Sequence, residues 1–313
     1  MAASAKSDNP TDGGAEDGTL GKADLENFPV APGFLPAAWR TDLMAVYGFA
    51  RLVDDAGDGD LADPAAAARL LGVESAPSDP GFRPALLDGL ERDLDRVFES
   101  ALRPAGADRP HHPLLRALVP VVDRHGLTPE PFRRLIEANR VDQETTRYPT
   151  YRALLDYCTL SADPVGRLVL AIAGRSTPDR ITRSDQICTA LQIIEHLQDV
   201  AEDLGRGRIY LPAEDLARFE VTEADLAAPS AGPRVRELIA FEAARARTLL
   251  DHGAPLVGTV RGRLRLLLAG FTAGGYAALA AIESAGYDVL AHQAKPDKRR
   301  LAVKAAALFA KGR

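Results

Sequence analysis

Two stripes of carboxylates at helical spacing constrain this chain more than any other feature. In the segment YGFARLVDDAGD, Tyr47, Arg51, Asp54 and Asp58 stand at offsets 0, 4, 7 and 11, which is one face of an α-helix. In LQIIEHLQDVAEDLGRGRIYLP, Gln192, Glu195, Asp199 and Asp203 stand at offsets 0, 3, 7 and 11. Both stripes lie in apolar surroundings: Leu43, Val46, Phe49, Leu52 and Val53 around the first, Leu191, Ile193, Ile194, Leu197 and Val200 around the second. Each helix is therefore expected to be largely buried, with its stripe facing inward or lining a cavity. Carboxylates in such a place are costly unless cations compensate them. Oxygen ligands one helical turn apart suit Mg²⁺, a hard ion that keeps several waters and bridges to substrate phosphates.

For the first stripe alone, an Arg51–Asp54–Asp58 ladder of surface ion pairs is an open alternative. Asp55, rotated by about 100° from Asp54, is expected to be solvated or to stand behind the ligands. In the second segment Gly205 and Gly207 end the helix. Beyond them Arg206, Arg208 and Tyr210 supply donors suited to a diphosphate. Glu202 reads better as a surface partner of Arg206 at i,i+4 than as a ligand, and His196 better as a core histidine than as a general base.

The pattern elsewhere is helical, and the fold class expected is all-α, a helical bundle. Helices are predicted from Leu35 to about Asp58 and near 85–101, 114–125, 129–143, 150–174, 181–204, 212–219, 231–251, 256–285 and 286–293. Loops are predicted at 72–84 and 103–113. Residues 1–22 are Ala, Gly, Ser, Asp and Lys without periodicity, a composition expected to be disordered. The domain is expected over 23–300, with a basic tail at 301–313.

With hydrophobic residues at 46% and charged residues at 26%, the chain can bury a core. A net charge of −6 gives no long-range attraction for nucleic acid. Cys158 and Cys188, the only cysteines, read as small buried thiols. The N-terminus lacks signal-peptide character and no run of 18 apolar residues occurs, so a cytoplasmic protein is expected. The basic stretch from Lys295 to Lys311 reads as a solvated terminal helix, with peripheral contact at the inner face of an anionic membrane as the alternative. Neither G-x-x-x-x-G-K-[ST] nor a strand followed by G-x-G-x-x-G appears, and no Ser-His-Asp or catalytic-Cys arrangement stands out. No spacing rule sets an oligomeric state.

The order of these motifs resembles the squalene/phytoene synthase family: an Asp-rich motif preceded by Tyr and Arg, then D-x-x-E-D followed by G-R-x-Y-L-P. The strings ENFPVA at 26–31, DQETTRYPTY at 142–151 and YCTLSADPVGRLVL at 157–170 look like its hydroxysqualene synthase branch. The resemblance covers roughly residues 24–300. It implies an isoprenoid-synthase-type bundle, a single domain with the two motifs across a central cavity. It further implies Mg²⁺ held by Asp54, Asp58, Asp199 and Asp203, with Glu195 where the family usually has Asn. Tyr47, Arg51, Arg208 and Tyr210 match positions on the diphosphate side or the cavity wall, and Tyr157, Val165, Gly166 and Tyr276 match cavity-lining positions. The implied substrate is a prenyl diphosphate. The implied reaction is conversion of presqualene diphosphate to hydroxysqualene in squalene/hopanoid biosynthesis, with head-to-head joining of two farnesyl or geranylgeranyl diphosphates as the runner-up. Some relatives of this fold are non-catalytic assembly factors that have lost the aspartates retained here.

Overall fold

A computed structural model describes residues 31–103, 108–291 and 298–311; the segment 1–22 expected to be disordered lies outside them. The described residues form fifteen helices and no strand, the one extended pairing being a parallel bridge between Arg147 and Ile209. The all-α expectation holds. The chain divides into two compact units, one of Arg40–Pro129 and one of Gly33–Trp39 with Glu130–Arg313.

The first unit contains most of α1 (Ala37–Asp58), then α2 (Pro64–Leu71), α3 (Phe82–Leu102) and α4 (Pro113–His125). Its core is aliphatic, with Phe49, Leu52, Val53, Leu87, Leu90, Leu94, Leu115 and Leu118 each at most 2% exposed. Burying such side chains contributes about 1.5–3 kcal/mol each. Two buried aspartates order the polar joints. Asp42 on α1 takes Arg124 Nη1 at 2.5 Å and His125 Nε2 at 2.8 Å from the end of α4. Asp93 on α3 accepts the His111 and His112 amides at 2.8 and 2.9 Å, fixing the entry to α4. The short α2, capped by Asp63 and started by Pro64, was not expected from the sequence.

In the second unit α5 (Glu130–Glu144), α6 (Tyr151–Ser161) and α7 (Asp163–Ile172) lead to the central α8 (Pro178–Gln198). Short helices follow, α9 (Val200–Gly205), α10 (Ala213–Arg218) and α11 (Glu223–Leu226), then α12 (Pro233–Gly253), α13 (Leu256–Thr259), α14 (Gly262–Ser284) and α15 (Lys298–Lys311). α8 packs on α6, α7, α12 and α14. Gly166 lets α7 approach it closely: a Cβ there would overlap Ser184 Oγ and lie 2.6 Å from Cys188 Sγ. Cys158 is buried and Cys188 half-buried, both as free thiols, and burial pushes the Cys188 thiol up to about 12.

Three long predicted helices are broken. The 150–174 span divides at Ala162, where Pro164 has no N–H to continue the ladder and disfavours helical backbone at the residue before it. The 181–204 span begins earlier, at Pro178 with Thr177 as its cap, and is interrupted at Asp199. The 256–285 span divides where Val260 is extended and Arg180 binds the Thr259 carbonyl at 2.8 Å. Over 286–291 the expected helix gives way to turns, with Tyr287 at φ +60°, a backbone that cannot extend α14. The remainder of that segment, 292–293, lies outside the described residues.

The basic C-terminal stretch forms α15, which packs on α14. Arg265 lies over the Phe309 ring and donates to the Phe309 carbonyl, and Lys304 Nζ sits 3.9 Å from the centre of the Tyr276 ring. α14 has the length and apolar composition to cross a bilayer, but 67% of its apolar window is buried within the protein, as for a core helix.

Candidate active site

Each unit carries one of the two acidic stripes. On α1, Tyr47, Arg51 and Asp58 are half-buried and Asp54 is exposed. Of the two places expected for Asp55, the solvated one is excluded: it is 3% exposed and pairs with Arg51 Nε at 3.0 Å. Helix rotation explains the exchange: α1 turns its apolar side, with Val53 and Ala56 beside Asp55, into the core. Asp54 and Asp58 thereby hold the open side of the helix. Two carboxylates one turn apart, Asp54 exposed and Asp58 half-buried, suit a partly hydrated divalent cation.

On α8 and α9 the second stripe grades inward, with Glu195 exposed and Gln192, Asp199 and Asp203 half-buried. Although α8 ends at Gln198, two bonds of helical spacing span the break, Asp199 N donating to Glu195 O at 3.0 Å and Asp203 N to Asp199 O at 2.8 Å, so the one-turn spacing survives. Burial and the neighbouring charges of Asp199 and Glu202 push the Asp203 carboxyl up to about 7. Glu202 pairs with Arg206 at 3.3 Å, both exposed, as the i,i+4 reading expected.

Gly207, at φ +79°, turns the chain back so that Arg208 N donates to Asp203 O at 2.8 Å. This brings the Arg208 charge close enough to oppose the rise at Asp203. Asp203, Arg208, Tyr210 and His196 border a crevice with Val200, Ile209 and Leu211. His196 is buried, Gln192 Nε2 lies 3.3 Å from its Nε2, and its ring stacks on Tyr210 at 3.7 Å and 9°. Desolvation lowers its pKa to about 3, so it stands neutral, as a core histidine does.

Three residues at this place were not singled out as site residues. Asp142 accepts Tyr157 Oη on Oδ2 at 2.7 Å and Tyr210 Oη on Oδ1 at 3.1 Å. Tyr148 stacks on Tyr210 with centroids 5.6 Å apart and lies 5.4 Å from Tyr157. Arg147 binds the Gly207 carbonyl at 2.7 Å and Glu223 with two donors at 2.9 and 3.1 Å. The string DQETTRYPTY was thus a signal: it lies alongside the Gly207–Leu211 strip, with Ile209 N donating to Thr146 O. Burial raises the pKa of Tyr148, Tyr157 and Tyr210, and the Asp142 charge adds to it.

The other expected cavity residues are placed separately. Val165 is exposed at 41% and Gly166 serves the close approach of α7 to α8. Tyr276 is buried on α14 and donates to Asp251 at 2.6 Å. Among the described residues no three His, Cys, Asp or Glu side chains gather as a closed metal cage. The two stripes nonetheless fit Mg²⁺ by donor type, since that ion takes one or two protein carboxylates and completes its shell with water and phosphate oxygen.

The squalene synthase HpnC from Alicyclobacillus acidocaldarius superposes with a TM-score of 0.71 at 42% identity, covering 86% of this chain and 92% of that one. A hydroxysqualene synthase of Sinorhizobium fredii is 32% identical over 237 residues, covering 75% of this chain and 72% of that protein. A phytoene synthase of Arthrospira platensis is 33% identical over 244 residues, covering 73% and 71%. The description Squalene/phytoene synthase matches residues 22–302, across both acidic stripes and the aromatic cluster, and the chain belongs to the squalene/phytoene synthase family.

Proposed function

We propose that this chain is a Mg²⁺-dependent enzyme that converts presqualene diphosphate and water into hydroxysqualene and diphosphate. The observation that carries this reading is the junction after α8. There Asp203, with its carboxyl pushed up to about 7 beside Asp199, meets Arg208 on one side and the His196–Tyr210 stack on the other. An acidic group that is hard to ionise without a cation, a fixed guanidinium and a largely apolar wall are the parts that diphosphate departure and a carbocation need.

In this proposal each unit supplies its own carboxylate metal ligands, Asp54 and Asp58 on the first and Glu195, Asp199 and Asp203 on the second, with Arg51 and Arg208 as donors for diphosphate oxygens. Mg²⁺, when bound, supplies the charge that makes diphosphate a leaving group. The C–O bond breaks with its electron pair going to the diphosphate. The apolar residues exclude bulk water from the cation, and Tyr210, with Tyr157 5.7 Å from it, forms the aromatic part of the wall. The cyclopropylcarbinyl cation then rearranges, a ring C–C bond breaking to open the three-membered ring, and one water forms the new C–O bond at the resulting cationic carbon and releases its proton, leaving hydroxysqualene. Glu195, in place of the usual Asn, adds negative charge beside Asp199 and predicts a metal dependence that is more sensitive to pH.

The relatives named hydroxysqualene synthase and squalene synthase favour this reaction. The similarly close phytoene synthase favours a second reading, head-to-head joining of two prenyl diphosphates. Purified protein with Mg²⁺ is given presqualene diphosphate and, separately, farnesyl diphosphate, and products are identified by mass spectrometry. Hydroxysqualene from the first substrate with no product from the second is expected; presqualene diphosphate formed from farnesyl diphosphate overturns this choice in favour of the second reading.

A further inference from the structure

Two separate elements of the aromatic cluster converge on the side chain of Asp142. It lies near the end of α5, Tyr157 comes from α6, and Tyr210 follows the turn after α9. The two phenols, 53 positions apart in the chain, each donate to a different oxygen of the same carboxylate, at 2.7 and 3.1 Å. Their rings lie 5.7 Å apart at 34°, and Tyr148 and His196 stack against Tyr210 at 5.6 and 3.7 Å. A charge-assisted hydrogen bond is short and directional, so two of them on one acceptor pin the hydroxyl ends of both rings to a single point. The stacked neighbours then set the tilt of each ring.

We propose that Asp142 is a positioning residue for the reaction, acting through Tyr157 and Tyr210 rather than on the substrate. The carboxylate holds Tyr210, which borders the crevice beside Asp203 and Arg208, and Tyr157, 5.7 Å from it, as one fixed pair. It also places negative charge at the hydroxyl end of each ring, which makes that aromatic wall more favourable for a passing cation. Displacing a group of this kind by about 1 Å costs about 100-fold in rate. The inference rests on the proposed chemistry, in which charge develops on carbon as diphosphate leaves.

The test uses the full-length chain with Mg²⁺ and whichever prenyl diphosphate it turns over. In Asp142→Asn one acceptor oxygen replaces two with the shape kept, and kcat is expected to fall about 10- to 100-fold while KM stays within about threefold. Products quenched at the wrong carbon are expected to rise. In a Tyr157→Phe/Tyr210→Phe background the same substitution is expected to have less than about a twofold effect, since its partners are gone. Melting curves of all variants identify any that fail to fold, and Tyr210→Phe alone, which removes one hydroxyl, then serves in place of Asp142→Asn with a kcat loss and steady KM expected. Full activity and unchanged products in the folded single variant overturn the positioning role, as does a loss of equal size in the double-Phe background. If the unsubstituted protein releases diphosphate from neither substrate, the proposed function falls first and this role with it.

Discussion

Asp163 stands in the first turn of α7, 4% exposed, and takes one hydrogen bond from Thr189 Oγ1 at 2.9 Å. Burial and the nearby Asp185 charge push its carboxyl up to about 7, more than Thr189 and the Arg167 charge can offset. Arg167 is largely occupied elsewhere, binding Asp185 with two donors at 3.0 and 2.8 Å. Between about pH 4 and 7 the folded chain therefore keeps a proton that the unfolded chain releases, and stability falls as pH rises through that window. Asp163→Asn removes the penalty. The variant is expected to melt roughly 2–4 °C above the unsubstituted protein at pH 8 and level with it at pH 4. A gap that does not change with pH would assign the effect to the Thr189 bond instead. No local pattern in ADPVGR announces a raised carboxyl, because the burial comes from α8. Asp54 and Asp55 teach the same lesson: adjacent aspartates in one motif part company on helix rotation, one to the open side and one to Arg51, and only the packed core sets that rotation.

At the scale of elements, α8 is apolar around much of its circumference, with Ile187, Ala190, Ile193, Ile194 and Leu197 buried, since α6, α7, α12 and α14 all pack on it. Its existence was legible from the apolar run, though its start at Thr177–Pro178, three residues before the expected 181, was missed. Its interruption at Asp199 was not, and no feature of the sequence accounts for it. The break before α7 had a readable cause in Pro164, outweighed by continuous helical periodicity on both sides. Contact between α7 and α8 depends on Gly166, so Gly166→Ala is expected to destabilise the protein by about 1–3 kcal/mol through overpacking. Adding Ser184→Ala, which removes one of the two clashing atoms, should restore part of that loss. Denaturant melts of the two single variants and the double variant measure the coupling, and additive losses would place the strain elsewhere.

Across the whole molecule, the helical class, both acidic stripes and the aromatic residues were readable because each depends on spacing within a single helix or on a contiguous string. The Asp142 cluster was not, since its bonds join residues 15 and 68 positions apart and no periodicity carries such pairs. The same distinction bears on binding. A chain of net charge −6 whose proposed diphosphate site lies beside the Asp199 and Asp203 carboxylates should repel bare diphosphate. With Mg²⁺ present the ion neutralises those carboxylates and the diphosphate together, so the two ligands should bind as a pair. A ligand at about 100 times its Kd stabilises the folded state by about 2.7 kcal/mol, which for a chain of this size is a rise of roughly 4–8 °C in Tm. Thermal melts should therefore show that rise with Mg²⁺ and inorganic diphosphate together, little with diphosphate alone, and a much smaller rise in Asp203→Asn. The effect should weaken as pH falls below about 7, where the Asp203 carboxyl takes up its proton and no longer binds the metal. No rise under any of these conditions would favour a non-catalytic assembly protein that keeps the family's fold and its aspartates without the chemistry.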